Sequence, residues 1–146
     1  MTQVRHATQK DAADIRALIR LVGINPTGLD WRRFLVAVDE SDQVIATGQV
    51  KPHSDGTLEL ASIATEPEYR NLGLASAIIQ RLVEETPHPL YLVCQEHNGS
   101  FYARFGFREL ERPEMPPVLG REAALVAWLR RYLFPKMERL LVMKIS

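Results

Sequence analysis

The spacing of apolar residues changes along this chain, and each change marks a new element. Residues 3–7 (QVRHA) are short and extended in character. Thr8 stands three residues before Asp11, the arrangement of a helix N-cap with an acid in the first turn. Ala12, Ile15, Ile19 and Val22 then recur at helical spacing, and Gly23 reads as the stop. Asn25-Pro26-Thr27-Gly28 is a turn leading to a brief helical stretch over 29–33. Two β-rich apolar runs, 34–38 and 44–50, flank the polar linker 39–42 and predict an antiparallel hairpin. Ser54-Asp55-Gly56 turns the chain into a further strand over 57–65.

From Gly73 onward, Ala75, Ile78, Ile79, Leu82 and Val83 form one apolar helical stripe. A short apolar strand follows at 90–94, bounded upstream by Pro87-His88-Pro89. A brief helix is predicted over 100–105, and Gly106-Phe107 turns into another strand. The proline-rich segment 112–117 reads as an irregular connection. Beyond it, Leu125, Trp128, Leu129, Tyr132 and Leu133 carry a helical period, Pro135 ends it, and 139–145 closes the chain as a strand. The order β-α-β-β-β-α-β-α-β-α-β shows no repeat and no obvious boundary. It predicts one domain over 1–146, of α/β or α+β class, with helices packed on a mainly antiparallel sheet.

Composition narrows the partners. Hydrophobic residues make up 46% and charged residues 25% of 146, an ordinary globular mixture. Lys+Arg and Asp+Glu are 18 each, so no bulk charge draws the chain to nucleic acid or an anionic membrane. Any phosphate binding must be local. Cys94 is the only cysteine, which excludes an internal disulfide and argues against a thiolate metal site. His6, His53, His88 and His97 have no metal-ligand spacing, so no metal is expected. Residues 1–10 are polar and no run of about 18 apolar residues occurs, which makes the cytoplasm the expected compartment.

The chemically richest stretch is 59–77, ELASIATEPEYRNLGLASA, a strand, a turn and an amphipathic helix in succession. The first turn of a helix offers main-chain N–H groups without internal partners, and the dipole adds positive character there. Gly73 and the small Ala75 would let a pyrophosphate approach the main chain, and Arg70 could add a charge-assisted contact. On these residues alone, an ordinary strand-loop-helix junction with a surface arginine remains an alternative. Neither a P-loop nor a Gly-x-Gly-x-x-Gly motif is present.

Arg70-x-x-Gly73-x-Ala75 resembles the Gln/Arg-x-x-Gly-x-Gly/Ala signature of the Gcn5-related N-acetyltransferase (GNAT) superfamily. Three surrounding elements resemble it too: Val4-Arg5-His6-Ala7-Thr8 with Asp11-Ala12, the hairpin over 34–50, and Phe101-Tyr102-Ala103-Arg104-Phe105-Gly106-Phe107. The resemblance covers 3–110, is weak over 111–136, and returns faintly in the last strand. Ala75 departs from the commoner second glycine, and its methyl narrows the approach. The resemblance implies a mixed, mainly antiparallel sheet splayed between its fourth and fifth strands, with coenzyme A in the opening. It implies that the pantetheine arm pairs with Ile63, Ala64 and Thr65. The pyrophosphate would rest on amides from Arg70 or Asn71 through Leu72, Gly73, Leu74 and Ala75 to Ser76. The implied activity is acetyl transfer from acetyl-CoA to a primary amine of a small molecule, peptide or protein, directly in a ternary complex. A catalytically silent acyl-CoA-binding regulatory module is the alternative.

Two side chains are candidates for the proton chemistry. Tyr102 lies four residues before Gly106-Phe107, where many members of the family place a tyrosine near the acetyl-CoA sulfur. It could donate to the departing thiolate, or pack its ring with the hydroxyl held by main chain. Glu59 is the only charged residue of 58–65, and alternation sets it on a face with Ala61, Ile63 and Thr65. It stands 11 residues before Arg70, where the histone-acetylating branch carries a catalytic glutamate; it is a base or a strand-edge carboxylate facing solvent. A base matters most for a lysine-like amine, which costs roughly 4–5 kcal/mol to deprotonate at pH 7, against about 1–1.4 kcal/mol for an α-amine. A main-chain N–H near Ile63 would polarise the acetyl carbonyl. Gln95, seven residues before Tyr102, occupies the place of a coenzyme-binding asparagine in many relatives, and Asn98 is the nearest asparagine. Cys94 reads as core, and His53 as a loop histidine or one facing the acceptor. The helix around 125–133 reads as a lid, a packing helix, or a specificity or homodimer element.

Overall fold

The structure, a computed structural model, describes residues 2–146. The fold is mixed α/β: among the described residues, seven strands with mainly antiparallel pairing, flanked by helices. The chain divides into two compact units, Met1–Lys51 with Leu60–Thr86, and Pro52–Glu59 with Pro87–Ser146.

In the first unit, β1 (Gln3–His6), β2 (Phe34–Val38), β3 (Val44–Pro52) and β4 (Leu58–Thr65) lie in that order, with the hairpin end of β3 and β4 belonging to the second unit. β1 and β3 pair antiparallel on either side of β2, with Val4 opposite Ala37 and Leu35 opposite Gly48. All five residues of β2 are buried, because helices cover both faces. One cover is α1 (Ala12–Val22), whose Ile15, Leu18 and Ile19 pack with Phe34, Val36, Val38, Val44 and Ala64. The other is α2 (Leu74–Glu85). A Cβ at Gly48 would stand 2.6 Å from Ile78 Cγ2 and 2.8 Å from Ile63 Cδ1, so glycine lets this helix come close to β3.

A closed turn leads into α1. Thr8 is an N-cap, as the sequence spacing predicts, but of a 3-10 turn over Gln9–Asp11, with which it forms a capping box through Asp11. Asp11 is only 2% exposed and takes both Arg5 guanidinium nitrogens, at 2.7 and 3.1 Å. Burial works against its charge, but the Arg5 hydrogen bonds and the Thr8 amide outweigh it and hold the carboxyl below its ordinary value.

In the second unit, β5 (Leu90–Gln95) and β7 (Leu140–Ile145) pair antiparallel along their whole length, and β6 (Arg108–Glu109) pairs with the other edge of β7. A 3-10 turn over Glu96–Asn98 leads into α3 (Gly99–Ala103), slightly earlier than the predicted 100–105. The segment read as an irregular connection holds a 3-10 turn, Arg112–Glu114, and the start of α4 (Pro117–Tyr132). Pro117 opens that helix rather than breaking it, since the first helical position needs no N–H donor.

Most of the apolar stripe read over 125–133 faces solvent, Leu129 being half-buried. Leu125, Trp128, Tyr132 and Leu133 are all more than half exposed, while Leu119 packs with Leu110 and Val142 beside Ala123 and Val118. Periodicity finds the helix; it does not say which of two apolar faces meets the sheet. No described helix is long and apolar enough to cross a membrane, and no described cluster of three or more His, Cys, Asp and Glu could hold a metal.

Candidate functional site

In the first unit, β4 ends at Thr65, a 3-10 turn spans Pro67–Tyr69, and α2 opens after Gly73. Asn71 and Gly73 both take left-handed backbone, at φ 65° and φ 80°. Gly73 is the N-cap and so brings no side-chain acceptor, and α2 has no acid in its first turn. Its opening amides, at Leu74, Ala75 and Ser76, therefore lack both an intrahelical partner and a side-chain cap. A Cβ built on Gly73 meets nothing within 4 Å, so the space above the turn is open. Arg70 is exposed, forms no ion pair among the described residues, and reaches back through Nε to the Thr65 carbonyl at 3.3 Å. Positive dipole, uncapped amides and an exposed guanidinium thus meet at one mouth, an arrangement suited to an anion. Ile63, Ala64 and Thr65 lead directly to it along β4.

One residue of β4 departs from strand geometry. Ser62 has φ 59°, a conformation that costs a non-glycine residue roughly 1–2 kcal/mol. It interrupts the alternation expected to run from Glu59 to Thr65. Two side chains of β3 hold it. Thr47 Oγ1 donates to the Ser62 carbonyl at 2.9 Å, and Gln49 Nε2 donates to Ser62 Oγ at 2.8 Å. The same Nε2 donates to the Gly28 carbonyl at 3.0 Å. Thr47 and Gln49 are both fully buried, and Gln49 Oε1 accepts nothing from the described residues. Sequence reasoning missed this group, although a glutamine inside the apolar run VIATGQV was the available signal.

In the second unit, Tyr102 sits on α3 with Phe101 and Phe107 edge-on to its ring, at 5.2 and 6.5 Å between centroids. No described residue hydrogen-bonds its hydroxyl, so the reading in which main chain holds that hydroxyl does not apply. Burial, with a smaller contribution from Cys94, pushes the phenol up to about 12. It stays protonated at any ordinary pH and is available as a donor. Cys94 is a core residue with its sulfur 3.9 Å from Met143 Sδ, and burial pushes its thiol up to about 11. Gln95 is exposed at the end of β5 and Asn98 half-buried in the turn after it.

Glu59 does not face solvent as a lone strand-edge carboxylate. Its side chain is 14% exposed, and its Oε1 lies 2.7 Å from Nε2 of His53, itself 24% exposed. The β3–β4 turn brings the two together: the His53 amide donates to the Thr57 carbonyl and the Gly56 amide to that of His53. A six-residue separation across a hairpin gave the sequence no periodic signal for this pair. Glu59 and Tyr102 are not hydrogen-bonded to each other.

The family model of the acetyltransferase (GNAT) domain matches residues 30–109, more than half of the chain. None of the curated proteins matches. Solved structures share the fold. N-acetylglutamate synthase from Neisseria gonorrhoeae, complexed with coenzyme A and N-acetyl-glutamate, is similar at TM-score 0.75 and 15% identity, over 100% of this chain and 35% of that one. Rv2747 from Mycobacterium tuberculosis, in complex with CoA and NLQ, is similar at TM-score 0.72 and 20% identity, over 99% and 98%. A GNAT-family acetyltransferase from Staphylococcus aureus Mu50 gives 0.68 and 15%, over 100% of both chains. The chain thus spans about a third of the gonococcal synthase and the full length of the staphylococcal protein. Signature turn, strand order and family match agree, and the chain belongs to the GNAT acetyltransferase family.

Proposed function

We propose that this protein transfers an acetyl group from acetyl-CoA to a primary amine of a small molecule, peptide or protein, by direct attack in a ternary complex. The observation that carries the reading is the uncapped mouth of α2, with Gly73 at its N-cap and Arg70 beside it. Amides from Arg70 or Asn71 through Leu72, Gly73, Leu74, Ala75 and Ser76 hold the pyrophosphate. The main chain of Ile63, Ala64 and Thr65 takes the pantetheine arm, and an N–H near Ile63 polarises the thioester carbonyl. The amine nitrogen attacks the acetyl carbon, a C–N bond forms, the C–S bond breaks, and a thiolate leaves.

Tyr102 answers that thiolate chiefly by hydrogen bonding. A phenol near 12 lies above a free thiol at about 8.5, so full proton transfer would run uphill by roughly 5 kcal/mol. A hydrogen bond to the developing charge needs no such transfer. The proton lost by the amine goes to the His53–Glu59 pair. With Nε2–H donated to Glu59, the imidazole Nδ1 is the open acceptor, and the carboxylate stabilises the imidazolium that forms.

Calorimetry with acetyl-CoA, followed by CoA release across a panel of amino acids, polyamines, aminoglycosides and peptides, tests the reading. Binding with amine-dependent CoA release supports it. Binding without release from any amine favours a regulatory acyl-CoA module, and no binding removes both. Because neighbouring folds were solved with N-acetyl-glutamate and NLQ, amino acids head the panel.

A further inference from the structure

β3 carries two fully buried polar side chains, Thr47 and Gln49, and both are spent on one residue of β4. Ser62 stands in left-handed backbone inside a strand, where its own side chain gives no steric licence to be. Thr47 occupies its carbonyl, and Gln49 holds its hydroxyl. Gln49 reaches at the same time to the Gly28 carbonyl, in the segment after α1 whose Ile24, Leu29 and Trp31 pack onto the core. The amide cannot be turned over, because Oε1 would then oppose the Gly28 oxygen. Two fully buried polar side chains spent on one strained residue mark a place where geometry outranks stability.

We propose that Gln49, with Thr47, is a positioning residue of the transfer reaction: it clamps Ser62 in its strained conformation and ties the Gly28 segment to β4. The clamp re-aims the main chain just ahead of Ile63, Ala64 and Thr65. A residue in left-handed backbone rotates the peptide groups that follow it out of regular ladder register. The inference rests on the reading above, in which those three residues receive the acyl donor.

Gln49→Met keeps length and removes both donors. Main-chain hydrogen exchange over 62–65 reads the clamp without any turnover: it should accelerate at least tenfold. CoA release from acetyl-CoA, with the best amine of the panel, should fall at least tenfold in kcat, while the Kd for CoA by calorimetry changes less than threefold. Glycine adopts φ 59° freely, so in a Ser62→Gly background the same substitution should cost less than threefold in kcat. Thr47→Val, nearly isosteric, should show the same pattern and serves if Gln49→Met does not fold. Unchanged exchange overturns the clamp. Accelerated exchange with native kcat, or an equal loss in the Ser62→Gly background, overturns the positioning role. Native protein that binds acetyl-CoA but releases no CoA with any amine removes the acetyl-transfer reading instead, and the exchange result still decides the clamp.

Discussion

Two helices of the first unit begin within the same physics and end up opposite. Each has main-chain amides at its mouth that its own turns leave without partners. Ahead of α1 the chain closes a 3-10 turn: Thr8 and Asp11 form its capping box, the Ala12 amide donates to the Gln9 carbonyl, and Arg5 neutralises the acid in a nearly buried pair. α2 has no such cap. Gly73 stands where a capping side chain would be, no acid follows, and Arg70 adds positive charge to a site already positive. A closed mouth contributes stability; an open one gives up a cap, worth about 1 kcal/mol, and leaves its amides for a ligand such as the one proposed above. The same contrast separates the two arginines: Arg5 is matched by Asp11 and Asp42, whereas no described carboxylate pairs with Arg70.

The largest effect should come from breaking the closed mouth. Asp11→Ala leaves Arg5 without its buried partner and should lower unfolding free energy by about 3–5 kcal/mol in urea titrations. The pH dependence follows from the direction of the Asp11 shift. Its contribution is complete above the unfolded value of about 3.9 and is lost as pH falls through the lower native value. Asp11→Asn should therefore flatten the acid side of the stability profile. Neither change should weaken acetyl-CoA binding by more than the loss of folded protein explains.

Next is the attempt to close the open mouth. Gly73→Asp puts a carboxylate where the phosphates are proposed to sit, and it can cap α2 from within. Acetyl-CoA affinity should fall about 100-fold, roughly 2.7 kcal/mol, with unfolding free energy altered by far less. Equal affinity by calorimetry would end the equivalence between an uncapped helix and a diphosphate site. Tyr102→Phe lies outside both mouths and should sort binding from turnover: kcat down about 10- to 100-fold, Kd for acetyl-CoA within about threefold. With the phenol at about 12, the native kcat profile should show no decline due to Tyr102 below pH 10. Smallest is Arg70→Gln, which should weaken acetyl-CoA by about 3- to 10-fold, less at high salt, because the exposed guanidinium only supplements the amides.

The family signature is legible because it is local. A turn that needs left-handed backbone at Gly73 ahead of a helix is written in consecutive residues, and the structure has that turn at that place. The hairpin over 34–50, the N-cap at Thr8, and the stop at Gly23 are legible for the same reason. Where the reading stopped short, the partners lie across the fold. Glu59 was read as a carboxylate on its own, yet its oxygen is bound to His53. Gln49 lies in an apolar run, and its hydrogen-bond partners, Ser62 and Gly28, are 13 and 21 positions away.

α4 shows the limit most plainly. Its period of apolar residues gave the helix, and Pro135 its end, but Leu125, Trp128 and Tyr132 point to solvent while Leu119 is buried. Sequence alone determined the order of elements, the balanced charge and the glycine turn that opens α2, since periodicity, composition and backbone preference are properties of neighbouring residues. Tertiary structure decided which face of α4 is covered, which base partners Glu59, and what holds Ser62 out of strand geometry. Those are pairings between segments, and the free energy that selects them exists only when the segments meet.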